Sequence, residues 1–296
     1  MRNEWLNPAL CEAWNQQIGS LGDAFRSWQI APLTISVCQS LSQSGANPSS
    51  ISLESIFVKR LNRIANYGGK SSKNITFLSE MTCLDFGAGE GYLGRVISSL
   101  GAKYIGFDVS PHLVQRGNAI NANAGDCDSQ LFLLDVEDTS ASSVCEIAKF
   151  DGQTTGHRMI MFHCLLEHLV DKRSFLRMLL EVAKLWAPTS ALYFTTLNPD
   201  FFLSVFDEGT GDGQKKVQLG ETGFSVSLST NTLGEVESLL AETGWRLCSN
   251  YGFGIGGVPE DEIPDIYKSE DTPYDLKKGP FNAFLAIPSQ PDGTIA

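Results

Sequence analysis

Apolar positions along the first eighty residues recur at helical spacing. Leu10, Trp14 and Ile18 follow the Asn7-Pro8 pair, in which an N-cap asparagine precedes proline at the first helical position. Pro32 opens a second candidate helix with Leu33, Val37 and Leu41 on one face. A third carries Leu53, Ile56, Phe57, Leu61 and Ile64 and stops at Gly68-Gly69, and the serine-rich stretch 42–52 reads as a loop. From residue 81 the pattern changes to short apolar runs alternating with helical periods, the signature of βαβ units and a parallel sheet. Strands are expected over 82–84, 104–107, 131–134, 159–162 and 191–195, with helices over 92–100, 111–123, 142–149 and 174–186 between them. A polar, glycine-rich stretch from Asp200 to Gly223 is expected as a loop, followed by a helix over 232–243 and strands over 246–251 and 282–287. The acidic segment from Gly254 to Pro280 is too long for a tight hairpin and reads as a lid or insertion.

Composition narrows the class without naming a function. The 296 residues carry 22 Lys and Arg against 34 Asp and Glu, a net charge of −12, with 42% hydrophobic residues, as in an ordinary globular chain. Residues 1–80 are slightly basic and the remainder carries −14, so the larger part of the chain would repel a polyanion, and nucleic acid is an unsuitable partner. No apolar run approaches the about 18 residues of a membrane span, and Met1 to Trp5 leads into no signal-peptide stretch, so a cytoplasmic protein without membrane attachment is expected. The seven cysteines (Cys11, Cys38, Cys83, Cys127, Cys145, Cys164, Cys248) are dispersed without a C-x-x-C pair and read mostly as small buried hydrophobes.

Candidate chemistry begins at Leu84-Asp85-Phe86-Gly87-Ala88-Gly89-Glu90-Gly91-Tyr92, where three alternating glycines follow a strand and precede a helix. Such bare backbone lets a ligand lie against the turn, beside the helix N-terminus. The dinucleotide fingerprint would need glycine at position 92; Tyr92 stands there and opposes a nicotinamide oxidoreductase. Asp85, two residues before the first glycine, suits a cationic ammonium better than a pyrophosphate. Asp108 ends the second strand 23 residues later, where a carboxylate can accept from both ribose hydroxyls of a nucleoside. Asp135 ends the third strand, placed to accept from an adenine amino group while the N–H of Val136 donates to the ring. Three acids at the C-terminal ends of adjacent strands line one crevice, where open α/β sheets bind ligands.

This constellation resembles the class I S-adenosylmethionine-dependent methyltransferases over residues 75–290. The resemblance implies a Rossmann-like α/β fold with a mostly parallel seven-stranded sheet, a methyltransferase domain over 75–296 and a helical N-terminal cap over 1–74. It implies S-adenosylmethionine as cofactor and S-adenosylhomocysteine as product, held by Asp85, Gly87, Gly89, Gly91, Asp108, Val109, Asp135, Val136 and His163. The stretch from Phe162 to Leu169 is similar to the fourth-strand motif of ubiquinone-biosynthesis O-methyltransferases, and 185–190 matches the turn before the fifth strand, with Thr189 and Ser190 after Pro188 where the family usually has the two glycines of Pro-Gly-Gly. Metal-dependent relatives carry E-x-x-E-H; here Cys164 takes the first position, so no metal is expected. Asn198-Pro199-Asp200-Phe201 is similar to the N-P-P-[FY] motif of amino-group methyltransferases but follows the fifth strand instead of the fourth, and reads as a turn.

Methyl transfer from a sulfonium is an in-line displacement, with deprotonation added when the acceptor is a hydroxyl. His168 is the expected general base and His163 the runner-up, with Glu167 placed to raise the pKa of His168; His112 and His157 read as surface residues. The expected acceptor is a small molecule, such as a secondary metabolite with a phenolic or other hydroxyl. N-, C- or carboxyl-methylation and a non-catalytic adenosylmethionine-binding module remain alternatives, and a homodimer is left open.

Overall fold

Five strands are parallel: β1 Met81–Phe86, β2 Lys103–Asp108, β3 Ser129–Leu133, β4 His157–His163 and β5 Ala191–Leu197. The computed structural model describes residues 4–13, 29–43, 47–57, 78–124, 129–149, 156–187, 189–199, 215–218, 224–253, 279 and 281–289. A hairpin, β6 Lys215–Gln218 with β7 Ser225–Leu228, stands apart, and β8 Trp245–Phe253 and β9 Phe281–Pro288 complete a seven-stranded sheet in the order β3-β2-β1-β4-β5-β9-β8. Only β9 runs against the other six strands, pairing antiparallel with β5 on one side and β8 on the other, as the sequence predicts for a mostly parallel Rossmann-like sheet. β1 pairs with β2 on one side and with β4 on the other, so the direction of winding reverses there and a crevice opens above the C-terminal ends.

Among the described residues six longer helices pack on the sheet: α1 Ala31–Ser42, α2 Tyr92–Ser98, α3 Pro111–Ala124, α4 Ala141–Ile147, α5 Lys172–Trp186 and α6 Leu233–Glu242. Their starts are set by local chemistry. Asp171 accepts from the Ser174 N–H, Ser140 from the Ser143 N–H, and Thr232 and Glu235 form a reciprocal capping box. α5 buries Phe175, Leu176, Leu179, Val182, Ala183 and Trp186, a stripe of three- and four-residue steps against the sheet. No helix among the described residues is long and apolar enough to cross a membrane.

One row of side chains fixes the height of everything above it. Phe107, Phe86, Phe162, Phe194 and Phe284 stand in cross-strand register on one face of the sheet. Successive rings stack at 5.1 Å (Phe86 and Phe107), 4.5 Å (Phe162 and Phe194) and 4.9 Å (Phe194 and Phe284), with Phe175 of α5 edge-on to Phe162. Side chains alternate along a strand, so the residue after each of the first four phenylalanines, namely Asp108, Gly87, His163 and Thr195, faces the other side at one level. The free edge at β3 is covered: Asn118 of α3 both donates to the Leu131 carbonyl (2.9 Å) and accepts its N–H (3.2 Å).

Three expectations need correction. The stretch 200–223 is not wholly loop, because β6 lies inside it, held by main-chain pairing to β7 without an apolar pattern of its own. The loop 42–52 contains a 3-10 turn, Pro48–Ser50, capped by Asn47. The third strand ends at Leu133, two residues before Asp135. Of the N-terminal helices, residues 8–13 and 53–57 are helical; Trp14, Ile18, Leu61, Ile64 and the glycine pair lie outside the described residues, as do Cys127 and the acidic segment except Gly279.

Candidate active site

The glycine turn is tied to β2. The N–H groups of Gly87 and Ala88 both donate to the Phe107 carbonyl (2.8 and 3.0 Å), and that of Gly89 donates to Asp108 Oδ2 at 2.8 Å. Gly87, Gly89 and Gly91 have φ of +75°, +59° and +74°. Gly91 is the residue before α2, and a Cβ there would come within 2.9 Å of the Leu131 side chain, so both conformation and space demand glycine. A Cβ on Gly89 would meet nothing within 4 Å: the turn is open on the side where a ligand would lie.

The two buried acids have different partners. Asp108 keeps its second oxygen on the Ser110 N–H at 2.9 Å, so both carboxylate oxygens hold backbone and each retains a lone pair. Burial nevertheless pushes its pKa up, against those two bonds. Asp85 is 3% exposed; its Oδ2 accepts from the Tyr104 hydroxyl at 2.5 Å, and its Oδ1 is buried without a hydrogen-bond partner among the described residues. Asp135 is half-buried beyond the end of β3 and accepts the Glu137 N–H at 3.0 Å, an Asx turn that fixes the segment carrying Val136. Val109 is half-buried between Asp108 and the buried Ser110.

Beyond β4 the chain turns sharply. Cys164 has φ of +51°, a left-handed conformation that a cysteine adopts only under constraint, and its N–H donates to the Thr195 carbonyl at 2.9 Å. Leu165 then covers Gly87, where a Cβ would meet it at 3.0 Å. His163 Nδ1 lies 3.1 Å from Thr195 Oγ1, while its buried Nε2 has no hydrogen-bond partner among the described residues. Burial lowers its pKa to about 3.

His168 ends a 3-10 turn, Leu166–His168, and its ring meets Trp5 edge-on at 5.1 Å. The expected boost from Glu167 is absent. That carboxylate turns away to accept the Leu197 N–H at 2.5 Å, burial raises its own pKa to about 7, and burial lowers His168 to about 4. Both histidines are therefore neutral at physiological pH. Among the described residues no group of three or more His, Cys, Asp or Glu could hold a metal ion.

The N-terminal segment lies over the same strand ends. Trp5 packs on His168, Cys11 Sγ is 3.1 Å from Ser110 Oγ beside Asp108, and Glu12 pairs with Arg116 of α3 at 2.8 Å. Arg116 also reaches Glu90 of the glycine turn at 3.0 Å. Asn198 is buried just beyond β5 and its side-chain amide donates to the Gly279 carbonyl at 2.9 Å; Pro199 after it is helical where a turn was expected, and Asp200 and Phe201 lie outside the described residues. His157 begins β4; His112 stands beside Glu12 at 3.8 Å.

Sequence inspection missed Tyr104, Thr195 and Trp5 as members of the site. Tyr104 had a usable signal in Gly94 inside a helix, where a Cβ would run into the Tyr104 ring. Thr195 and Trp5 had none, since only the fold brings them to His163 and His168.

A family model described as a methyltransferase domain matches residues 59–253. No curated protein sequence matches the chain. Among solved structures, a Listeria monocytogenes protein assigned as an S-adenosylmethionine-dependent methyltransferase is 14% identical, with a TM-score of 0.50 over 72% of this chain and 92% of its own. An S-adenosylmethionine-dependent methyltransferase from Mesorhizobium loti is 16% identical, with a TM-score of 0.49 over 70% of this chain and 90% of its own. The Listeria likeness is one of fold.

Proposed function

We propose that this chain, which belongs to the methyltransferase-domain family and takes S-adenosylmethionine as its methyl donor, methylates a hydroxyl group of a small molecule. The observation that carries the acceptor chemistry is His163: a neutral imidazole at the C-terminal end of β4, oriented through Nδ1 by Thr195, with Nε2 unpartnered among the described residues.

The residues fit the donor. Asp108 has a lone pair left on each oxygen for the two ribose hydroxyls, the open side of Gly89 admits the nucleoside, and Asp85 Oδ1 is a buried acceptor suited to the α-ammonium. Asp135 and the N–H of Val136 serve the adenine, with Gly87, Gly91 and Val109 shaping the rim. When bound, the cofactor supplies a methyl on a sulfonium, open to in-line displacement.

His163 takes the leading role over His168. With Nδ1–H donating to Thr195 Oγ1, Nε2 would present its lone pair and accept the hydroxyl proton as the new O–C bond forms and the methyl's bond to sulfur breaks, the neutral thioether of S-adenosylhomocysteine being the leaving group. The low pKa makes the imidazolium short-lived, so His163 holds the proton only transiently. His168, set against Trp5, walls the acceptor side. We take residues 1–74 as a cap on a methyltransferase domain of 75–296, in a cytoplasmic enzyme of small-molecule metabolism.

Label transfer from methyl-labelled S-adenosylmethionine to a panel of phenols, alcohols, amines and carboxylic acids tests this. Phenols or alcohols should be labelled, and His163→Ala should lose about 10²–10⁴ in kcat with cofactor affinity unchanged. Labelling confined to amines, or full activity in His163→Ala, would overturn it.

A further inference from the structure

The ring of Tyr104 is fully buried in a slot opened by Gly94 of α2, where a Cβ would run into three atoms of the ring. A glycine in the interior of a helix is a sacrifice of intrinsic stability. What it admits is one hydroxyl, which donates to Asp85 Oδ2 at 2.5 Å and leaves Oδ1 buried and unpartnered among the described residues.

We propose that Tyr104 is a positioning residue: it fixes one oxygen of Asp85 so that the other meets the α-ammonium of the donor, and cofactor affinity therefore requires Asp85 to be ionised. The inference rests on the adenosylmethionine reading above.

The surroundings leave this carboxyl little other help. From β2 it faces Tyr104 and the acid Asp108; from β1, the Cys83 thiol, itself 4.0 Å from Cys38 of α1. On β4 its register partner is Met161, with neutral His163 at the strand end, and the buried residues of α2 are Leu93, Gly94, Ile97 and Ser98. No cation stands among these groups. Burial accordingly lifts the Asp85 pKa to about 7, with the Tyr104 hydrogen bond pulling it down and Asp108 adding to the rise. Below that pH the carboxyl is increasingly protonated and has no charge to offer an ammonium.

The test uses the whole chain, calorimetry and two ligands from pH 5.5 to 7.5. S-adenosylhomocysteine carries the ammonium; 5′-methylthioadenosine shares the nucleoside and lacks the amino-acid half. The ratio of their affinities cancels titration at Asp108. In wild type this ratio should rise about tenfold or more across the range, as expected for a carboxyl titrating near 7. Tyr104→Phe, which keeps the ring in its slot, should move the rise to higher pH, and Asp85→Asn should flatten it. A flat wild-type ratio, or a Tyr104→Phe profile that coincides with wild type, overturns the proposal while leaving the adenosylmethionine reading intact. Failure of both ligands to bind wild type at any pH overturns both.

Discussion

Replacing Asp108 with alanine separates a carboxylate kept for a ligand from one kept for the fold. In the folded chain its oxygens accept two backbone N–H groups, at 2.8 Å from Gly89 and 2.9 Å from Ser110, yet the residue is 8% exposed and its pKa is raised. Burial thus outweighs both bonds, and the charge is a net burden until a ligand adds hydroxyl donors. Asp108→Ala removes that buried charge but also the acceptor of the Gly89 and Ser110 N–H groups, so the two effects oppose each other in the ligand-free protein and the melting temperature should change modestly. Its effect falls on binding: losing the charged acceptor of the ribose should weaken S-adenosylhomocysteine by about 1.5–3 kcal/mol, the worth of hydrogen bonds to charged groups, or roughly 10- to 150-fold. Calorimetry and thermal denaturation of the two proteins at pH 7.5 read both quantities. Affinity within twofold of wild type, or a large loss of stability with affinity intact, would refute the reasoning.

Phe162, fully buried and stacked on Phe194 at 4.5 Å, is the middle of the aromatic row, and Phe162→Ala should cost about 3–5 kcal/mol in denaturant unfolding. A cost below 1 kcal/mol would mean that the row carries little of the sheet. Glu167, with its pKa raised by burial to about 7 from 4.5, binds a proton in the folded state that the unfolded chain has already lost. The folded state holds more protons over that window, so this residue's contribution declines as pH rises from about 4.5 to 7. Glu167→Gln keeps an acceptor for the Leu197 N–H and should gain stability relative to wild type from pH 5 to pH 8; an equal difference at both would count against it. Trp5→Ala should admit water to His168 and move its pKa, observed by NMR titration, from about 4 up toward 6.5; no movement would show that other neighbours bury the ring.

Where side-chain periodicity carried the information, the sequence was legible. The strand cores at 82–84 and 159–162, the helix over 174–186 and the glycine turn all lie where apolar spacing and punctuation put them. β6 was not legible, because Lys215-Lys216-Val217-Gln218 has no apolar alternation and exists through its ladder to β7. The acids were readable because strand ends in this topology converge on one crevice, although the turn beyond β3 places Asp135 two residues farther than expected. The histidines were readable as candidates, but their surroundings were not. What separates them is Thr195 beside His163 and Trp5 against His168, contacts across 32 residues and across more than half the chain that no local pattern encodes. Glu167 was misjudged for the same reason: adjacency to His168 in sequence means nothing once the 3-10 turn points its carboxylate at Leu197.

The central claim is that the crevice above β1, β2 and β4 binds the methyl donor through Asp85, the glycine turn and Asp108. Calorimetric titration of the whole chain with S-adenosylmethionine, S-adenosylhomocysteine and NAD under one set of conditions tests it most directly. The two sulfur nucleosides should bind saturably at one site per chain, each displacing the other, with no heat from NAD. Binding of NAD in place of S-adenosylhomocysteine, or of none of the three at millimolar concentration, would contradict it.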